Sequence, residues 1–294
     1  MKLARIRGID ILVNPLVIVL AAAGICLGYF TKGLILVAAV LCHEAAHSVM
    51  AGFLGYRLDE IKLFPLGGVI RIGGMFELDP GREIMIALAG PVINMSLAVL
   101  ALGLKPYGFA TEQYTDFFIA VNTVIALFNL LPALPLDGGR VLRSLLSYRW
   151  GIARATRVVW LLGRIAAVLL ALLSLYRGVG NPLEVTMLAA AVFLFFAGTK
   201  ERKMAAFLMY NQVGYKKDLL KNRGLLKSKS LAVDHNAYGK RVISRFVPGC
   251  YHIVYVIGKD GQVLGRVGEQ EVFYGIMKYG YNVRMIDIVK MYNS

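Results

Sequence analysis

Charge is scarce in this chain, and acid is scarcer than base: 17% of its 294 residues are charged, with 18 Asp and Glu against 33 Lys and Arg. A soluble domain uses about a quarter of its residues as charges to keep its surface wet, so a chain that is 57% hydrophobic reads as a polytopic membrane protein. Cysteine is also rare. Cys26, Cys42 and Cys250 are far apart and form no CxxC pair, which excludes a disulfide framework and a cysteine zinc site. No basic tract of the nucleic-acid-binding kind is present, so direct contact with nucleic acid is not expected. The excess is spread out, although residues 204–294 hold 14 Lys and Arg against 6 Asp and Glu, a balance that suits anionic lipid headgroups or an acidic protein.

Six apolar runs approach the ~20 residues that a spanning helix needs: Ile11 to Phe30, Leu34 to Gly55, Ile84 to Leu104, Phe117 to Leu136, Val158 to Tyr176 and Leu183 to Gly198. The first follows Lys2, Arg5 and Arg7 as a signal peptide would, but it continues past Ala21-Ala22-Ala23 to Phe30, so its retention is expected. Basic residues collect at alternate span ends, from Lys2, Arg5 and Arg7 through Arg57, Arg82, Arg140 and Arg157 to Lys203, against Lys32, Lys105 and Arg177 opposite. By the positive-inside rule both termini are cytosolic. The fold class expected is therefore a polytopic α-helical membrane protein of about six transmembrane helices with a small α/β cytosolic C-terminal domain. Its domains are expected at 1–203 (membrane), 204–230 (linker) and 231–294 (C-terminal).

Between the second and third runs, residues 63–74 read as short extended segments with glycine turns. This hairpin could offer a free strand edge, around Gly67, Gly68, Val69 and Ile70, to an unwound substrate. A plain surface hairpin is the alternative.

Inside the second run stands His43-Glu44-Ala45-Ala46-His47. Histidines four apart share one helix face and can reach one Zn²⁺, and the glutamate between them can act as base. Two imidazoles and a carboxylate buried together without a metal leave polar groups unsatisfied. A catalytic zinc wants a third ligand. Asp137 is the best candidate, since Pro132, Pro135, Gly138 and Gly139 must break the helix around it and an aspartate at such a break is costly without a cation. A turn aspartate beside Arg140 is the alternative. His235 and His252, in the polar C-terminal region, are poorer candidates. Asn129 reads as a donor to a substrate carbonyl or oxyanion, or as a bridge between helices. The chemistry that follows is peptide hydrolysis: zinc acidifies a water, Glu44 takes its proton and returns it to the leaving amine.

HEAAH, the NxxPxxxxDG of Asn129 to Gly138, and Gly90-Pro91-Val92-Ile93-Asn94 as GPxxN together resemble the site-2 protease family of intramembrane zinc metalloproteases, over roughly residues 1–200. The resemblance implies His43, His47 and Asp137 as zinc ligands, Glu44 as base, and a membrane-tethered regulator as substrate. Two other classes compete. A membrane zinc transporter would not require Glu44 between the histidines and would show further intramembrane carboxylates. A non-catalytic scaffold with a sensor domain would not need all four residues.

After Lys203 the composition turns polar. Residues 251–257, 258–261 and 262–267 read as strand, turn and strand, and Gly268-Glu269-Gln270-Glu271 starts a helix running to about Met277. This is similar to half of a cystathionine-β-synthase-type (CBS) module, which implies an adenine nucleotide such as ATP as a ligand and pairing with a second chain, hence a homo-oligomer; a basic scaffold that positions substrate is the alternative. The whole layout resembles the sporulation members of the protease family. That implies a precursor sigma factor as substrate, inhibitory membrane partners and a forespore-surrounding membrane.

Overall fold

The computed structural model describes residues 2–6, 9–13, 28–64, 67–73, 79–108, 111–178, 180–181, 184–199, 201–202, 216, 220 and 224–292. The chain divides into two compact units, Met1–Val141 and Leu142–Ser294. The expected first span lies largely outside the described residues.

The first unit opens with a β-hairpin, β1 (Lys2–Ile6) and β2 (Ile9–Val13), followed by helix α1 (Phe30–Phe53), strands β3 (Arg57–Phe64) and β4 (Gly67–Gly73), and helices α2 (Pro80–Leu104) and α3 (Glu112–Asn129). The four strands form one sheet in the order β1-β2-β3-β4. β2 runs parallel to β3, pairing Asp10 with Glu60 and Val13 with Leu63, and β3 pairs antiparallel with β4 from Arg57 with Gly73 to Phe64 with Gly67. The hairpin expected at 63–74 is thus longer, and the chain start adds two strands to it. Ile11 to Val13, read as the start of a span, belong to β2: a short apolar run fits a strand as well as a helix, and here ladder hydrogen bonds decide.

Helix α4 (Asp137–Trp150) starts in the first unit and ends in the second; α5 (Ile152–Arg177) and α6 (Glu184–Thr199) follow. Among the described residues three helices are long and apolar enough to cross a membrane: α1, α2 extended through Tyr107, and α5. Their outward side chains are apolar, with Leu36, Val99, Leu100, Leu169 and Leu172 exposed, the inversion of a soluble surface that lipid permits. Small residues face inward, Ala39, Ala51, Ala87, Ala98 and Ala167 being buried, so helix backbones approach closely. The fourth apolar run does not continue as one helix. α3 ends at Asn129, residues 130–136 turn, and α4 begins at Asp137.

The C-terminal layer of the second unit holds β5 (Ser228–Asp234), α7 (Gly239–Ile243), β6 (Tyr251–Ile257), β7 (Val263–Gly268), α8 (Glu269–Tyr279) and α9 (Met285–Tyr292). β5 pairs parallel with β6, and β6 antiparallel with β7. Alternation along β6 buries His252, Val254 and Val256 against Val272, Ile276, Met285 and Ile288, as period-two patterning dictates. Glu271 Oε2 accepts the Gly268 N–H at 2.7 Å, a cap that starts α8. Beneath it lies a closed polar cluster. Lys216 Nζ donates to both oxygens of Glu269, at 2.7 and 3.0 Å, the His252 N–H donates to Glu269 Oε1 at 2.9 Å, and His252 Nδ1 pairs with the same oxygen. Burial pushes the Lys216 ammonium below the usual lysine range, against the Glu269 carboxylate that pulls it up. Lys216 stands in the stretch expected to be a linker, yet it is buried.

Candidate metal centre

Two helices bring three side chains of the first unit to one point. His43 and His47 stand one turn apart on α1, and Asp137 is the first residue of α4. All three are buried. His43 Nε2 and His47 Nε2 are 3.1 Å apart, and Asp137 Oδ2 lies 3.1 Å from the first and 3.2 Å from the second.

The opposite ring nitrogens face oxygen. His43 Nδ1 donates to Asn94 Oδ1 at 2.7 Å, and His47 Nδ1 donates to the Ile86 carbonyl at 2.7 Å. These partners put each imidazole hydrogen on Nδ1 and leave a lone pair on each Nε2. The centre therefore collects two imidazole lone pairs and a carboxylate oxygen, three acceptors that repel unless a cation sits among them. Zn²⁺ takes such ligands at about 2.0–2.2 Å, and donor atoms slightly over 3 Å apart fit around one ion. The His, His, Asp trio is the cluster of possible metal ligands found among the described residues.

Local sequence builds each wall. Pro91, inside α2, has no N–H to give the carbonyl of Ala87, one residue along from the Ile86 carbonyl that accepts from His47. A Cβ on Gly90 would fall 2.6 Å from Cε1 of both histidines, so the glycine lets α2 lie against the imidazoles. At the helix break, Ala133 N–H bonds Leu131 O at 2.8 Å, Leu136 N–H bonds Ala133 O at 2.8 Å and Arg140 N–H bonds Leu136 O at 3.1 Å, which satisfies backbone groups that the membrane would leave unpaired. A Cβ on Gly138 would meet Leu131 O at 2.7 Å, and one on Gly139 would meet Leu134 N at 2.7 Å. The two glycines thus seat the first turn of α4 on residues 130–134, with Asp137 at the helix end where the macrodipole favours an anion.

Glu44, next to His43 on α1, is half-buried. Asn129 does not join the trio: its Nδ2 donates back to Ile125 O at 3.0 Å. Gly67, Gly68, Val69 and Ile70 lie in β4, at the end of the sheet order, and β4 neighbours α1. Two residues were missed as individuals. Asn94 stood only as the last letter of GPxxN, and Asn122 stood in no motif; an asparagine inside an apolar helix is the signal that could have marked it.

The profile of peptidase family M50 matches residues 32–110 and 107–173. The chain belongs to this family. Similar proteins extend the match beyond those residues. Stage IV sporulation protein FB of Bacillus subtilis is 28% identical over 267 residues, 89% of each chain. A zinc metalloprotease of Methanocaldococcus jannaschii is 24% identical over 249 residues, covering 78% of this chain and 69% of the relative. Among solved structures, the site-2 protease from M. jannaschii superposes with a TM-score of 0.56 at 25% identity, covering 69% of this chain and 94% of that one. The chain is accordingly an M50 zinc metalloprotease of the site-2 type, an integral membrane protein with apolar helices.

Proposed function

We propose that the chain hydrolyses a peptide bond in or near the membrane segment of a membrane-associated regulatory protein, with His43, His47 and Asp137 holding zinc and Glu44 as general base. The observation that carries this reading is the meeting of three acceptor atoms 3.1–3.2 Å apart with both ring hydrogens turned away. Zinc bound there supplies a Lewis acid that polarises the scissile carbonyl and acidifies a water. Glu44 takes the proton of that water and hands it to the leaving amine nitrogen. Coexpression with single-span or peripheral regulators tests the reading. Cleavage is expected with the wild type and not with Glu44→Gln; undiminished cleavage by a zinc-loaded Glu44→Gln protein sinks the base assignment.

The substrate we propose is a sigma-factor precursor cleaved during sporulation, a reading supported by the likeness, over 89% of each chain, to a sporulation protein. Its cleaved segment adds as a strand to β4 at Gly67 to Ile70, whose free edge has no partner strand among the described residues. In this reading residues 1–203 form the membrane protease of six spans, with termini in the cytosol, anionic lipid against its basic ends and inhibitory membrane proteins as partners. Residues 231–294 form a CBS-type regulatory unit that pairs with a second chain, with residues 204–230 joining the two. Mass analysis of the cleaved substrate fixes the scissile bond, and titration of the full chain with ATP tests the nucleotide.

A further inference from the structure

The His43 imidazole is the last link of a hydrogen-bond chain that begins on α3. Asn122 and Asn94 are both 0% exposed. Asn122 Nδ2 donates to Phe118 O at 2.9 Å, and Asn122 Oδ1 accepts from Asn94 Nδ2 at 2.8 Å. The second hydrogen of Asn94 Nδ2 points at Ala39 O, 3.3 Å away, and Asn94 Oδ1 accepts from His43 Nδ1 at 2.7 Å. Three of these contacts join three helices, and the fourth ties the Asn122 amide to its own helix.

The chain has one possible direction. Phe118 O and Ala39 O are backbone carbonyls and have only lone pairs to offer. Turning the Asn122 amide over would set its oxygen against Phe118 O, and turning Asn94 would set its oxygen against Ala39 O. In a buried, low-dielectric place each of those facing acceptor pairs is unfavourable. The Asn94 oxygen therefore faces His43, His43 Nδ1 carries the hydrogen, and Nε2 keeps the lone pair that points at Asp137 and His47. An asparagine that merely bridged helices would need no such order. Here the order ends on a ring whose hydrogen position decides whether it can hold a metal.

We infer that Asn122 is a positioning residue for the metal centre: acting through Asn94, it fixes the tautomer and ring plane of His43. The inference rests on the reading of His43 as a zinc ligand. Asn122 itself touches none of the metal-binding atoms and acts at one remove.

The test is zinc affinity of the full chain in detergent, read by competition with a chromophoric chelator. Asn122→Leu is expected to weaken zinc about tenfold, the low end of what an outer partner of a metal ligand is worth. Asn122→Asp, whose protonated carboxyl can accept from Asn94 and donate to Phe118 O, is expected to stay within about threefold of wild type, below that range. In an Asn94→Leu background the Asn122→Leu change is expected to add nothing, because the link is already cut. Asn122→Ala carries the same expectation as the leucine where the larger residue does not fold. Unchanged affinity in Asn122→Leu or Asn122→Ala overturns the relay, as does a double variant in which the two losses multiply. Wild-type protein that takes up no zinc overturns the metal centre itself, an outcome seen before any variant is made.

Discussion

A buried polar cluster in the first compact unit and one in the second are balanced in opposite ways. Around Glu269 the hydrogens are present: Lys216 Nζ and the His252 N–H both donate to the carboxylate, and Lys216, His252 and Glu269 are 3%, 1% and 0% exposed. That cluster closes on itself. Around Asp137 the hydrogens have been led away, to Asn94 and to Ile86 O, and three acceptors are left facing one another. Burial of charge is common to both. What separates an internal lock from a binding centre is the donor count, and a centre short of donors calls for a cation from outside.

The comparison can be broken at either end. The largest effect is expected for Glu44→Gln, which removes the proton carrier: cleavage of a coexpressed substrate falls by about 10²–10⁴-fold while bound zinc, measured by elemental analysis, stays at the wild-type level. Next comes Asp137→Ala. Removing a ligand weakens zinc by more than the about 10–100-fold that outer partners cost, and chelator competition reads it. On the other side, Lys216→Met leaves Glu269 buried without its ammonium. A loss of about 3–5 kcal/mol is expected, seen as faster hydrogen exchange at Val254 and Val256, with zinc affinity unchanged. A chelator sharpens the contrast: stripping zinc held at a hundredfold over its dissociation constant removes about 2.7 kcal/mol, and exchange should quicken in α1 and α2 but not in β5 to β7. The smallest effect is in pH. The folded chain sheds the Lys216 proton at lower pH than the unfolded chain does, so between those two values the unfolded state binds more protons and this group makes stability rise with pH. Unfolding curves of wild type and Lys216→Met should therefore diverge in the alkaline range, with the wild type gaining.

How much of this was legible depended on distance along the chain. His43 and His47 show in the sequence because four residues on a helix fix a shared face. Asp137 shows because two prolines and two glycines announce a break within ten residues. Asn122 does not show: its meaning comes from the approach of α2, 28 residues away. Lys216 was hidden in the same way. Its polar neighbours suggest a linker, while the partner that buries it is 53 residues on. Ile11 to Val13 failed for another reason, since three apolar residues belong equally to a strand's end and a span's beginning. Local geometry is written locally, and packing partners are not.

The position of β4 at the end of its sheet carries a consequence for what the protease would select. A strand edge offers amide and carbonyl groups at every second residue, and these are the same for any amino acid except proline. A segment docked there would be accepted for being extended and refused for a proline where an N–H is required, whatever its side chains spell. Selectivity of this kind follows conformation more than sequence: it favours membrane segments that unwind readily and passes over those that stay coiled.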